Sequence, residues 1–403
     1  MRDRIVLGYS GGLDTTVMIK WISEKLKADV VTLTVDVGQN EDLKAVEERA
    51  YSAGAVKHHT VDCRTEFVKE YVFPAVKANG LYENVYPLST ALARPLIAKK
   101  LVELARVEGA TGVAHGCTGK GNDQIRFEVT IRALDPELEV HAPVRTWGLS
   151  RDEELEYARL HKLPVSTKSS VYSIDQNLWG RSVEGGPLEN LNSPVPEDAL
   201  EWVKPVQDAP DEPLELEFEF KTGVPVRVDG VSDPVAFVEL VNKAAGAHGF
   251  GLIDHLEDRV VGIKSREVYE VPAALAIIKA HEELESLTLT RHQLEFKRMA
   301  EARWAWLVYS GLWVDPLKAD LDHLFDSSQE SVEGTVRLRI HKGVLSVVSR
   351  DSPHSLYSQR TSTYSSASDF DQSASEGFIK VWGMSSIHAH KVREGLKIEP
   401  AQK

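Results

Sequence analysis

The chain has only two cysteines, Cys63 and Cys117, in 403 residues. Two thiols build neither a disulfide framework nor a cysteine-rich zinc site, so they read as reduced thiols in a cytoplasmic protein. Long apolar runs are missing too. Stretches such as Ala273 to Ile278 fall far short of the roughly 20 residues that span a bilayer. The start, Met1-Arg2-Asp3-Arg4-Ile5, lacks the apolar core of a secretion signal. No membrane partner is expected. Positive charge is in deficit, with 47 Lys and Arg against 61 Asp and Glu and a net charge of −14. Such a surface repels phosphodiester backbones, which argues against nucleic acid as a partner. No internal repeat of fixed period is present. What remains is a globular chain whose length suggests two or three domains at about 150 residues each.

The first part alternates short apolar runs with amphipathic segments. Ile5 to Tyr9, Val30 to Val37, Lys57 to Val61 and Gly112 to His115 read as strands. Between and after them, helices are expected over Thr15–Lys27, Asp42–Ala53, Thr65–Val76, Ala93–Val107 and Gln124–Leu134. Ser150 and Glu153 have the spacing of a capping box that opens one more helix, ending near His161. Repeated β-α-β units of this size imply an α/β fold with a doubly wound parallel sheet. Ligands bind such sheets at the carboxyl ends of the strands. The loops after Tyr9, Val37 and His115 are therefore the places for a site.

Beyond about residue 165 the pattern changes. Prolines at 187, 194, 196, 205, 210 and 213 punctuate an acidic, irregular stretch. Leu214 to Phe220 then alternates apolar with charged, as a half-buried antiparallel strand does. Val235–Gly246 and Pro272–Leu287 read as helices, and Val336–Ile340 with Val344–Val348 as a hairpin. The expected division is a nucleotide-binding domain over 1–165, a second α+β domain over 166–370, and a C-terminal oligomerisation arm over 371–403. The serine-rich stretch 349–375 contains Leu356, Tyr357, Tyr364 and Phe370, which favours a packed loop. Phe378, Ile379, Val381 and Trp382 suit docking on a neighbouring subunit.

Gly8-Tyr9-Ser10-Gly11-Gly12-Leu13-Asp14-Thr15-Thr16 joins the first strand to the first helix. Adjacent glycines permit close backbone approach, and hydroxyls beside a helix N-terminus make an anion site. The spacing is not the dinucleotide fingerprint, and no lysine stands where a Walker loop has one. It does match G-x-S-x-G, the elbow of a serine hydrolase with Ser10 as nucleophile. Against that reading, no strand or oxyanion-hole loop precedes it.

Ser10-Gly11-Gly12-Leu13-Asp14-Thr15-Thr16 after a first strand resembles the pyrophosphate-binding loop of the N-type ATP pyrophosphatases. A second stretch, His115-Gly116-Cys117-Thr118-Gly119-Lys120-Gly121-Asn122-Asp123-Gln124-Ile125-Arg126-Phe127, gathers glycines, a cation, an amide and a carboxylate in a strand–helix loop. Opposite charges held this close suit a zwitterionic amino acid. With Tyr86 to Pro95, Tyr172 to Ser182 and Val261 to Glu270, this stretch resembles the argininosuccinate synthase family over residues 4 to about 390.

The resemblance implies ATP-dependent joining of citrulline and aspartate through a citrullyl-adenylate, releasing pyrophosphate and AMP. It also implies Mg²⁺ carried by the nucleotide and a homotetramer; no separate protein metal site is expected. It assigns ATP to Gly8, Tyr9, Ser10, Gly11, Gly12, Leu13, Asp14, Thr15 and Thr16, with Val35 and Gly116. Aspartate falls to Thr118, Asn122 and Asp123. Citrulline falls to Tyr86, Asn122, Arg126, Ser173, Ser182, Glu257 and Tyr269. Asp123 is the candidate acceptor for the proton of the aspartate ammonium. The sequence departs from the family at Thr16, where serine is usual, at Gly8 and at Ala91, where many members carry a serine that contacts citrulline; Thr90 is the possible substitute. Another N-type ATP pyrophosphatase and a nucleotide sensor without turnover are the rival readings.

Overall fold

The computed structural model describes residues 2–165 and 171–397. The expected domain boundary at 165–166 borders the segment 166–170, which lies outside the described residues, as do the last six residues of the arm. Two compact units are present, Met1–His354 and Ser355–Lys403.

Five strands, β1 (Arg4–Gly8), β2 (Asp29–Asp36), β3 (Lys57–Asp62), β4 (Gly112–Ala114) and β5 (Glu139–His141), form a wholly parallel sheet in the order β3-β2-β1-β4-β5. Along β1, Ile5 and Leu7 enter one apolar core with Met18, Ile19 and Ile22. Val6 points the other way, into a second core with Leu101, Val102 and Val113. Period-two alternation with both faces buried is what a doubly wound sheet requires. The chain winds outward from β1 through β2 to β3, then returns to β1's other side with β4. That reversal opens a crevice at the carboxyl ends of β1 and β4.

The expected helices are present at Leu13–Lys25, Leu43–Ser52, Ser89–Glu108, Asp123–Leu134 and Arg151–Leu160. Asp42 caps the second through Lys44 N and Ala45 N, and the capping box of Ser150 and Glu153 is formed. The single helix expected over 65–76 contains a π-helical turn, Val68–Val72, between Arg64–Phe67 and Phe73–Lys77. The Ser89–Glu108 helix starts four residues earlier than its apolar period suggests. Leu88, just before it, has φ of +63°, a left-handed conformation unusual for a residue with a Cβ.

After residue 171 the strands form four hairpins: β6 (Ser173–Asn177) with β7 (Gly180–Glu184), β8 (Leu214–Lys221) with β9 (Val224–Val228), β10 (Leu252–Asp258) with β11 (Lys264–Glu270), and β12 (Gly334–His341) with β13 (Val344–Asp351). They assemble into two antiparallel sheets, β10-β11-β7-β6 and β13-β12-β8-β9. The first of these sheets is absent from the sequence reading because Ser173-Ile174-Asp175-Gln176-Asn177 and Leu252-Ile253-Asp254-His255-Leu256-Glu257-Asp258 carry polar side chains on both faces. Helices Arg291–Tyr309 and Pro316–Ser328 are further additions. One apolar core runs from Val6 and Val31 to Phe218, Ile277 and Ile340, so packing continues across residue 165.

The second unit begins at Ser355, earlier than the expected arm, and holds helices Gln359–Ser362, Ala374–Trp382 and Met384–Arg393. Leu356, Tyr357, Tyr364 and Phe370 stand exposed, so the serine-rich stretch is not the packed loop expected. Short polar residues around them supply no apolar wall to pack against.

Candidate active site

A cleft of about 740 Å³ opens at the carboxyl ends of β1 and β4, between them and the β6, β7, β10 and β11 strands. On the first side is the Gly8–Thr15 loop. Gly12 caps the Leu13–Lys25 helix without a side-chain hydrogen bond, and the first intrahelical bond is Thr16 N to Gly12 O. The helix-opening N–H groups before it are therefore available to an anion. Ser10 Oγ and Thr15 Oγ1 lie 3.2 Å apart beside them. Two residues expected at the nucleotide are placed behind the loop. Gly11, with φ of +74°, gives its carbonyl to Arg49 Nη1 at 2.7 Å. Thr16 is buried, its hydroxyl 3.1 Å from that of Tyr9. They shape the loop without lining the cleft. The glycine at 116 has a steric reason, since a Cβ there would stand 3.0 Å from Thr15 Cγ2. Glycine lets the two loops close on each other.

Every other expected residue lines the cleft: Gly8, Tyr9, Gly12, Leu13, Asp14, Val35, Thr118, Asn122, Asp123 and the citrulline set. Glu257, whose sequence neighbours suggested a surface ion pair, is buried. It accepts from the hydroxyls of Tyr269 at 2.5 Å and Tyr309 at 2.6 Å. Tyr86 stacks on Tyr269 with ring centroids 4.1 Å apart, and burial pushes its phenol up to about 12. Thr90 reaches the cleft, while Ala91 is in the core.

Asp123 does not suit the role of proton acceptor. Its Oδ1 accepts from Arg126 Nη1 at 2.8 Å and its Oδ2 from Arg94 Nε at 2.8 Å. Burial alone would raise its pKa, yet the two guanidinium groups hold it below the usual carboxylate range. A carboxylate engaged at both oxygens is a poor base. Arg94 also pairs with Asp175, whose pKa is raised by burial and by neighbouring Asp123. Arg126 donates through Nε and Nη2 to the carbonyl of Tyr309, at 3.0 and 2.8 Å.

Several residues in and around the cleft have no role in the sequence reading. Arg94, Asp175 and Glu267 lie inside the quoted motifs, so their residue types were visible and only their direction was not. Glu267 is pushed up to about 8 by burial, then by the charges of Glu184 and Glu257. At the phosphate-loop end, burial and then the neighbouring Asp14 carboxylate lift Glu154 to about 8. Tyr309 had no sequence signal, because it ends a helix that the apolar pattern did not reveal.

The geometry is matched by kinship. Residues 4–164 match the arginosuccinate synthase N-terminal HUP domain, and 172–389 match the arginosuccinate synthase C-terminal domain. The chain belongs to the argininosuccinate synthase family. Relatives of that name include those of Pyrococcus furiosus, 52% identical over 98% of this chain and 96% of theirs, and Symbiobacterium thermophilum, 53% over 95% and 96%. A third, from Dehalococcoides mccartyi, is 50% identical over the full length of both. The chain is accordingly an ATP-using carbon–nitrogen ligase of arginine biosynthesis that joins citrulline to aspartate. Among the described residues, no helix is long and apolar enough to cross a membrane.

Proposed function

We propose that the ligation proceeds in two steps within this one cleft. The ureido oxygen of citrulline attacks the α-phosphorus of ATP, pyrophosphate leaves, and a citrullyl-adenylate forms. The aspartate amine then attacks the ureido carbon and AMP departs, giving argininosuccinate. The observation that carries this reading is that the Gly8–Thr15 loop, the stretch from Gly116 to Arg126 and side chains of β6, β7, β10 and β11 line one cleft.

The loop from Ser10 to Thr15 receives the β- and γ-phosphates, with N–H groups and hydroxyls facing charge that grows as pyrophosphate leaves. Gly8, Tyr9, Val35 and Gly116 flank the nucleoside. Mg²⁺ arrives with the nucleotide, because magnesium keeps phosphate and water ligands and needs one or two carboxylates at most. Asp14 is the carboxylate at that end. Bound magnesium neutralises phosphate charge.

Glu257 takes the α-ammonium of citrulline, its lone pairs aimed by Tyr269 and Tyr309, and Arg126 takes a carboxylate. Tyr86, Ser173, Ser182 and Asn122 meet the remaining polar atoms. Thr118, Asn122 and Asp123 hold aspartate. Asp123 orients rather than deprotonates. Residues 1–165 carry the nucleotide loops together with Tyr86, Thr118, Asn122, Asp123 and Arg126, residues 166–370 complete the amino-acid site and take part in assembly, and the C-terminal arm serves a homotetramer in the cytoplasm.

Pyrophosphate release is measured with citrulline carrying heavy oxygen in the ureido group, with and without aspartate. Citrulline-dependent release with the label recovered in AMP is the expected result. ATP binding without release under any combination would leave a sensor.

A further inference from the structure

The amino-acid half of the cleft is built from two unconnected pieces, the 116–122 loop after β4 and the β7–β11–β10 sheet. The tip of the β10–β11 hairpin bridges them. Arg259 and Ile263 close the tip, Arg259 N donating to Ile263 O at 2.9 Å, with Gly262 at φ of +87°. From this fixed turn the Arg259 guanidinium points inward, its side chain only 12% exposed. Nη2 pairs with Glu184 on β7 and Glu267 on β11. Nη1 donates to the carbonyl of Lys120 at 3.3 Å. The next residue adds a second grip, Val260 N donating to Asn122 Oδ1 at 3.0 Å. On its other flank the loop is held by Gln124 Nε2, which donates to the carbonyls of Gly119 and Gly121.

We propose that Arg259 is a positioning residue for aspartate, acting through the backbone of the 116–122 loop. The inference rests on the assignment of Thr118, Asn122 and Asp123 to that substrate. Three glycines, at 116, 119 and 121, leave the loop backbone little intrinsic preference for one conformation. Thr118 and Lys120 are exposed, so no apolar burial fixes them. The guanidinium uses its two ends for two jobs: Nη2 contacts Glu184 and Glu267 on the sheet, and Nη1 holds the loop. Lysine carries the charge but has no planar fork to do both.

Arg259→Lys and Arg259→Gln test this, with KM for citrulline, ATP and aspartate measured separately. KM for aspartate is expected to rise on the order of ten-fold in both, the scale on which misplacement of a binding group acts. In the lysine variant KM for citrulline and ATP and the kcat at saturating aspartate stay near wild type, which also reports an intact fold. A lysine variant with wild-type aspartate KM, or with all three KM values raised together, overturns the proposal. In the double variant Arg259→Gln/Glu184→Gln, removing a carboxylate relieves the charge imbalance and restores citrulline KM only. Restoration of aspartate KM would mean that charge, not the loop contact, is the cause. Cleavage by trypsin after Lys120, whose carbonyl Arg259 holds, reads the grip without turnover. It should quicken in Arg259→Gln, and an unchanged cleavage rate overturns the inference. A wild-type enzyme lacking citrulline-dependent pyrophosphate release would instead remove the substrate assignment, leaving the cleavage result to stand by itself.

Discussion

At the scale of single residues, burial decides which groups in and around the cleft carry charge. Burial, then the neighbouring Asp14 carboxylate, raises Glu154 to about 8, which keeps most of it protonated at neutral pH. Above about pH 8 it ionises and places a second negative charge beside the phosphate loop. KM for ATP should then rise between pH 7 and 9, and Glu154→Gln should flatten that rise; steady-state kinetics at fixed ionic strength checks it. The linkage has the same sign for folding. A carboxyl whose folded pKa is raised stabilises fully below its unfolded value, and that contribution is lost as pH climbs to about 8. Cys117 lines the cleft, but burial, then the charge of Asp123, pushes its thiol well above the ordinary value. Cys63 is pushed up to about 11 by burial. Neither should be alkylated by iodoacetamide at pH 8 in the folded protein, whereas both should be in urea, as mass spectrometry will read.

At the scale of elements, the helix beginning at Ser89 shows what pattern alone conceals. Its apolar period starts near Ala93, yet the backbone turns at Leu88 in a left-handed conformation. Two side chains from the next hairpin lock that turn: Trp179 Nε1 donates to Pro87 O at 2.9 Å and Asn177 Nδ2 to Ser89 O at 2.9 Å. Leu88→Ala removes a buried side chain and should cost about 2–5 kcal/mol in urea unfolding. Leu88→Gly loses the same packing but relieves the left-handed penalty of about 1–2 kcal/mol. It should therefore be at least as stable as the alanine variant, reversing the usual order. The parallel sheet was legible through β1, β2 and β4, which are apolar and buried on both faces, whereas β5, three residues long with Glu139 and His141 about Val140, gave no apolar run to read. The β6–β7 and β10–β11 hairpins were not, since their polar side chains face a cleft rather than water or core. The same residues that hid those strands from the apolar pattern, Asp175 and Glu257 among them, are the ones that line the site. Motif resemblance supplied Glu257 and Tyr269, but not the contacts through Tyr309 and Arg259, which join segments far apart in sequence.

At the scale of the molecule, the chain forms two compact units, Met1–His354 and Ser355–Lys403, and within the first one apolar core runs across the change of pattern near residue 165. A chain ending at His354 should keep its near-ultraviolet circular dichroism and cooperative unfolding, since the shared core lies within it. If the arm joins subunits, that truncation should also lower the mass seen by light scattering to that of a smaller assembly; an unchanged mass would place the subunit contacts elsewhere. The long bond from Arg126 to Tyr309 has a consequence in time. The two residues are 183 positions apart. At about 5–20 residues per second of synthesis, roughly ten to forty seconds pass between them. During that interval the phosphate loop is already out of the ribosome, while Arg126 and Glu257 lack the carbonyl and hydroxyl that fix them. A stalled or truncated product lacking Tyr309 should therefore lose its amino-acid site first, and citrulline cannot guide the early folding of the chain that will consume it.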